Sequence, residues 1–160
     1  MRRFFLLLAV VSLLMVPATI AEASPPTPIT GEFLLAGGPL FPPELRSADG
    51  NLIMTAVFPF AYLGQLSGTS TEETHLVFHP NETFQVEIID SCACNLYGRS
   101  GTLISRIVGT GHGTPNGGTY TGTWTVISAT DDLAGLHLTA KFVGTIGVGG
   151  SYTGAYHFDP

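Results

Sequence analysis

The sequence predicts an all-β protein: an antiparallel barrel of about eight strands, preceded by a signal peptide and a Pro/Gly-rich arm. Three observations carry that reading. Beyond Asn51, apolar and polar residues alternate with a period of two, and no 3.6-residue apolar periodicity competes with it. Gly, Asn and Asp interrupt the alternation at strand-length intervals, as turn residues do. A strand–turn–strand unit also occurs twice, so that at least four of the strands form hairpins built to one plan.

The chain opens with Arg2 and Arg3, followed by an apolar run from Phe4 to Val16 interrupted only by Ser12. Pro17 breaks the run, and Ala21-Glu22-Ala23 places small residues at both specificity positions of a cleavage site. These are the three parts of a secretory signal peptide, and the run is shorter than the ~20 residues of a membrane span. The expectation is a leader over residues 1–23, cleavage after Ala23, and a secreted or periplasmic protein that meets the membrane only through its leader. Without residues 1–23 the chain keeps four basic side chains, Arg46, Arg99, Arg106 and Lys141, against eleven acidic ones. Charged residues make up 11% of the whole chain, well below the ~25% usual in globular domains. A sparse acidic surface excludes nucleic acid as a partner, because phosphate contacts need clustered Lys and Arg.

Residues 24–50 are rich in Pro and Gly and read as an arm or linker with at most one short strand, at Glu32–Ala36. The barrel domain is expected over residues 51–160. Its strands are predicted near Leu52–Phe58, Phe60–Ser67, Thr74–His79, Thr83–Asp90, Thr102–Thr110, Tyr120–Ser128, Leu136–Ile146 and Ser151–Phe158. Pro59 marks a bend or an edge, since it donates nothing to a ladder.

The repeat sits in the last four of these strands. Arg106-Ile107-Val108-Gly109-Thr110 is echoed by Lys141-Phe142-Val143-Gly144-Thr145, and the stretch from Gly117 to Val126 by the stretch from Gly149 to Phe158. In the second hairpin one face gathers Leu138, Ala140 and Phe142 with Gly154, Tyr156 and Phe158. The other carries His137, Thr139 and Lys141 with Ala155, His157 and Asp159. The equivalent apolar face of the first hairpin is Leu103, Ser105, Ile107, Tyr120, Gly122, Trp124 and Val126. Glycine among large side chains suits a tightly curved sheet, and closure into a barrel removes exposed edges; a sandwich is the alternative.

Two short motifs add a family resemblance. Gly98-Arg99-Ser100-Gly101-Thr102-Leu103, and then Ser128-Ala129-Thr130-Asp131-Asp132-Leu133-Ala134-Gly135-Leu136, make the region from Ile88 to Phe158 resemble the bacterial barrel-domain family related to allene oxide cyclases. The resemblance implies an eight-stranded antiparallel barrel. Ala129 stands where that family's pattern has glycine, and His137-Leu138 replaces a basic residue and glycine. It implies no catalytic residue that maps onto this chain.

Inward parity nominates the candidate site. On Thr83–Asp90 the apolar face is Phe84, Val86 and Ile88, which carries Asp90, Cys92 and Cys94 inward if no bulge intervenes. Tyr62, Asp90, Tyr120, Trp124 and Tyr156 would then form an aromatic pocket with one acid, a common recipe for small-ligand binding; the same aromatics could instead fill the barrel. Two cysteines at this spacing in a strand lie ~6.5 Å apart, at the limit of disulfide geometry, so a local disulfide and a pair of half-buried thiols both stand. His75 and His79 are ~13 Å apart along a strand and cannot share a metal. His112 falls in a glycine turn. His137 and His157 lie on the polar face two or three residues from being neighbours; with Asp159 they could hold a metal weakly, but read as exposed polar residues. No metal site or cofactor is assigned. Gly109, Gly111 and Gly113 lack the Lys and following helix of a phosphate loop. Asn81-Glu82-Thr83 is a glycosylation sequon in a eukaryotic source alone.

Three function classes follow. A non-catalytic binding or structural module leads, with an apolar small molecule as its partner. The alternatives are an isomerase or cyclase acting on such a molecule inside the barrel, and an eight-stranded outer-membrane barrel.

Overall fold

The protein is described by a computed structural model over residues 25–159. The leader expected over residues 1–23 lies outside the described residues. Nine strands follow in chain order: β1 Thr27–Leu35, β2 Glu44–Ala48, β3 Asn51–Gly64, β4 Leu66–Phe78, β5 Thr83–Leu96, β6 Arg99–Thr114, β7 Gly117–Ala129, β8 Leu136–Thr145 and β9 Gly149–Phe158. A single 3-10 turn, Asp131–Leu133, precedes β8.

Neighbouring strands pair antiparallel in the order β1-β9-β8-β7-β6-β5-β4-β3, and β1 also pairs β3. Eight strands therefore close into a barrel, and β2 is an extra strand held by β3 alone. The stretch read as an arm with at most one short strand is corrected by this topology, since it supplies both β1 and β2. β1 is the stave that closes the ring, matching Gly31–Leu35 to Phe60–Gly64 on one side and Thr27–Leu34 to Gly149–Tyr156 on the other.

Proline hides this strand from a composition-based reading, and the geometry shows how it is tolerated. The Thr30 amide faces β3 and donates to Gln65 Oε1 at 2.6 Å. Pro28, two residues earlier, has the same orientation, and there β3 offers no counterpart residue. Pro59 follows the same logic inside β3, which is one continuous strand rather than two. Its carbonyl accepts from the Ala36 amide at 2.9 Å, so its nitrogen faces away from β4. Between the β2 partners at Asn51–Thr55 and the β1 partners at Phe60–Gly64, that side of β3 has no strand beside it and meets only the Ala36 and Leu40 amides of the β1–β2 loop. Pro59 sits at a local edge.

The alternation read from sequence is realised as an inside and an outside. Phe84, Val86, Ile88, Asp90, Cys92, Cys94 and Leu96 of β5 are all buried, and the residues between them are exposed or half-buried. β8 buries Leu136, Leu138, Ala140 and Phe142, and its register sets Leu138 against Tyr156 and Ala140 against Gly154. The two repeated hairpins are adjacent through β7–β8 pairing, with Trp124 opposite Ala140. One irregularity interrupts β6–β7, where Ile104 pairs Ser128 and Ser105 pairs Val126, leaving Ile127 outside the ladder and exposed.

Glycine makes room for rings in this narrow interior. A Cβ on Gly144 would lie 2.7 Å from Tyr120 Cζ, and one on Gly122 would lie 2.8 Å from Phe142 Cε1. The aromatic residues of the repeat thus pack flat over glycines of neighbouring strands, and the sheet can curve tightly enough to close.

Candidate functional site

The polar groups of the interior come from three neighbouring strands. β4 turns Ser70, Glu72 and Thr74 inward, β5 turns Asp90 inward, and β6 adds Ser105; all five are buried. Glu72 and Asp90 are register partners, so two carboxyl groups sit side by side on the inner wall of β4 and β5. Asp90 has no exposed surface, and its Oδ2 accepts from the Tyr62 hydroxyl at 3.2 Å and from the Ser105 hydroxyl at 3.0 Å. Tyr62 in turn stacks on Trp124 with ring centroids 5.2 Å apart, and Tyr152 stands edge-on to Trp124 at 5.0 Å. Asp90 Oδ1, Trp124 Nε1 and the hydroxyl oxygens of Ser70 and Tyr152 make no hydrogen bond to protein. This is the polar layer of the barrel.

Burial controls the protonation of the pair. It raises Asp90 from 3.8 to about 6, against the opposing pull of the Ser70, Ser105 and Tyr62 hydroxyls. Ser70 exerts that pull through proximity, since its oxygen makes no well-formed hydrogen bond. Glu72 is pushed well above the carboxylate range, first by burial and then by the negative charge of Asp90. Two adjacent carboxylates in a low-dielectric interior do not ionise together. Of the two, Glu72 is raised the more strongly, so Asp90 is the first of the pair to release its proton as pH rises. Tyr62 and Tyr120 are likewise pushed up by burial and by nearby carboxylates, and both remain phenols.

Glu72 is also where the polar layer meets open space. A cavity of about 300 Å³ occupies the barrel end ringed by Leu35, Pro115 and Ile146. Its walls include Met54, Phe58, Phe60, Leu76 and Ile88, and its only polar side chains besides the Tyr120 phenol are Glu72 and Thr74. A second void of about 10 Å³, water-sized, lies deeper, between Tyr62, Glu72, Trp124 and Tyr152. Glu72 and Tyr120 line both spaces, so they form the floor of the cavity and the roof of the void. The geometry sets three polar groups, the Glu72 carboxyl, the Thr74 hydroxyl and the Tyr120 phenol, against the walls of an otherwise apolar chamber. The chamber's size is at the lower end of the ~300–1,000 Å³ typical of ligand pockets.

The residues nominated from sequence divide accordingly. Tyr62, Asp90 and Trp124 come together in the polar layer, beneath the cavity rather than in it. Tyr120 reaches the cavity floor. Tyr156 does not join them; it is half-buried at the opposite end of the barrel, against Tyr97 and Phe158. Cys92 and Cys94 are joined in a disulfide with Cα atoms 5.4 Å apart, buried toward that same end. Glu72 is the residue that sequence reasoning missed. The inward parity of Leu76 and Thr74, carried one step further back, reaches it, but residue 72 falls between the predicted strands Phe60–Ser67 and Thr74–His79. The histidines lie outside the barrel: His75 bonds Thr55 at 3.2 Å, His79 bonds Asn51 at 2.8 Å, and His112 is exposed. His137 and His157, expected two or three residues apart in register, are direct cross-strand partners.

Comparison with known proteins places this barrel in a family. Residues 39–158 match the family described as "Protein of unknown function (DUF3224)". The chain belongs to the DUF3224 family. The matched segment begins after β1 and takes in β2 through β9. A crystal structure of a DUF3224-family protein of unknown function from Shewanella oneidensis MR-1 is similar over 85% of this chain and 99% of that one, with 20% sequence identity and a TM-score of 0.65. That likeness is one of fold. No curated protein matches the chain. These findings support the barrel and DUF3224 membership, and they do not show the relationship to allene oxide cyclases that the resemblance of the two motifs implies.

Proposed function

We propose that this DUF3224 protein is an exported, non-catalytic binding module that takes one apolar small molecule into the cavity at its barrel mouth, with the neutral Glu72 carboxyl as the polar anchor. The observation that carries the reading is the cavity itself, which is apolar except for Glu72, Thr74 and the Tyr120 phenol. A ligand with a hydrocarbon body and one hydrogen-bond acceptor matches those walls. Burying its body releases ~25 cal/mol per Å² of apolar surface, and a neutral carboxyl anchors it without the desolvation that an ionised one demands. The outward faces favour a protein in water over an outer-membrane barrel: Thr71, Glu73 and His75 of β4, Gln85 and Glu87 of β5, and Thr139 and Lys141 of β8 are exposed. A lipid-facing band is apolar. The leader sequence supports export.

The test is titration with a fluorescent fatty-acyl ketone, which supplies the hydrocarbon body and the acceptor. Saturable one-to-one binding that Met54→Trp abolishes by filling the cavity, and that Glu72→Leu weakens by removing the donor, supports the proposal. Binding unchanged in Met54→Trp refutes it. A second reading, an isomerase or cyclase kin to the allene oxide cyclases, draws on the motif resemblance and on a neutral acid placed where an apolar substrate would rest. Conversion of the bound molecule to a product of equal mass, lost in Glu72→Gln while binding persists, would favour that reading.

A further inference from the structure

The outer face of the second repeated hairpin carries a donor set with no part in the interior site. His137 on β8 and His157 on β9 are opposite one another in register, and their rings lie parallel at 4.8 Å between centroids and 7° between planes. The chain continues past β9 to Asp159, whose amide donates to the Gly135 carbonyl at 2.9 Å. That hydrogen bond carries the pairing one residue further and holds the Asp159 backbone beside β8. Asp159 Oδ1 lies 2.9 Å from His137 Nε2. One ligand atom from each of the three residues can be chosen so that all fall within 4.8 Å of one another.

We propose that His137, His157 and Asp159 form a binding site for a divalent late first-row metal ion of the Zn²⁺ and Cu²⁺ class. Two imidazole nitrogens and one carboxylate oxygen are the donors that such ions prefer, whereas Mg²⁺ and Ca²⁺ seek all-oxygen shells. Two ligands ~2.0–2.2 Å from one tetrahedral ion stand ~3.4 Å apart, so rotations of these exposed side chains must draw the widest pair together from 4.8 Å. Both histidines belong to strand backbone paired in a closed barrel, so the two nitrogens are brought together by the fold before any metal arrives. All three residues are at least partly exposed. The ion enters directly from solvent and keeps positions open for water or an exogenous ligand. The site is on the opposite side of the barrel wall from the cavity, and its occupancy is independent of the proposed apolar ligand.

The experiment uses the untagged chain from Ser24 onward, because a polyhistidine tag would supply competing nitrogens. Calorimetric titration with Zn²⁺ is expected to show one saturable site. Loss of a direct ligand should weaken it by at least the ~10–100-fold seen when supporting residues around a metal are removed. His137→Ala and His157→Ala are therefore expected to weaken Zn²⁺ binding by that factor or more, with Asp159→Asn also weaker than the parent, while His75→Ala and His112→Ala bind as the parent does. With Cu²⁺ as the probe, paramagnetic resonance should show two equatorial nitrogens in the parent and one in either alanine variant. Unchanged Trp124 emission establishes that each variant is folded. Absence of saturable Zn²⁺ binding up to millimolar concentration, Zn²⁺ binding that survives His157→Ala, or Mg²⁺ binding of equal strength overturns the proposal.

Discussion

Acidification should stabilise this protein over a range in which most proteins are indifferent, because its two interior carboxyl groups are harder to ionise folded than unfolded. Asp90 is raised from 3.8 to about 6 in the barrel. Between those two values the native state holds a proton that the unfolded chain has released, so unfolding becomes easier as pH rises. The full difference is ~3 kcal/mol. It is absent below 3.8, grows by up to ~1.4 kcal/mol per pH unit, and is complete above 6. Going from pH 8 to pH 5, Asp90 alone should contribute ~1.4 kcal/mol of added stability. Glu72, pushed well above its ordinary value by burial and by Asp90, adds in the same direction. With a urea slope of ~2 kcal/mol per molar, the Asp90 part moves the unfolding midpoint up by ~0.7 M. Trp124, the sole tryptophan, reports the transition from inside the core. The doubly neutral variant Glu72→Gln/Asp90→Asn should lose the dependence. A midpoint that falls or stays level from pH 8 to pH 5, or a slope that survives in that variant, refutes the account of the buried pair.

Three further outcomes are expected. Native Trp124 should emit well to the blue of free indole and resist iodide quenching, since it is 2% exposed; ready quenching would mean the inward parity is wrong. Gly122→Ala should lose ~1–3 kcal/mol in urea unfolding from overpacking, because its new Cβ would lie 2.7 Å from Gly109 Cα and 2.8 Å from Phe142 Cε1; an unchanged midpoint would count against that packing. N-terminal sequencing of exported material should begin at Ser24, and a chain that retains Phe4–Val16 would remove the case for a cleaved leader.

The barrel was legible because its physics is local. Alternation along β5 and β8 states which side chains face inward, and the duplicated hairpin states that neighbouring strands share that facing. Residues with a special reason to break the pattern were harder to read. β1 carries Pro28, a strand breaker by composition, and is tolerated because the proline faces a gap that only the closed ring defines. β2 and the end of β1 flank a loop of Gly and Pro, so nothing in the sequence alone separates them from a linker. For the site, parity alone placed Asp90, Tyr62 and Trp124 together in the interior. It could not show that the open space lies one layer above them, because cavity volume is a property of how eight strands pack. Glu72 was obscured for a related reason. A buried glutamate on a Thr- and Glu-rich strand looks like surface until its partner across the sheet, Asp90, is known. The two histidines show how sensitive site reasoning is to register, since an offset of two residues separates a scattered pair from a pair of stacked rings.

One methionine allows the ligand proposal to be tested at a single atom. Met54 lines the cavity, and the other two methionines, Met1 and Met15, fall within residues 1–23, where a cleaved leader is expected. In the chain from Ser24 onward, a ¹³C-methyl methionine label therefore gives one resonance, located in the proposed binding chamber. Titration with a medium-chain acyl ketone should shift that resonance saturably, at one equivalent, with a smaller or absent response in Glu72→Leu. A Met54 signal that stays fixed while the ligand binds elsewhere would contradict the mouth cavity as the functional site.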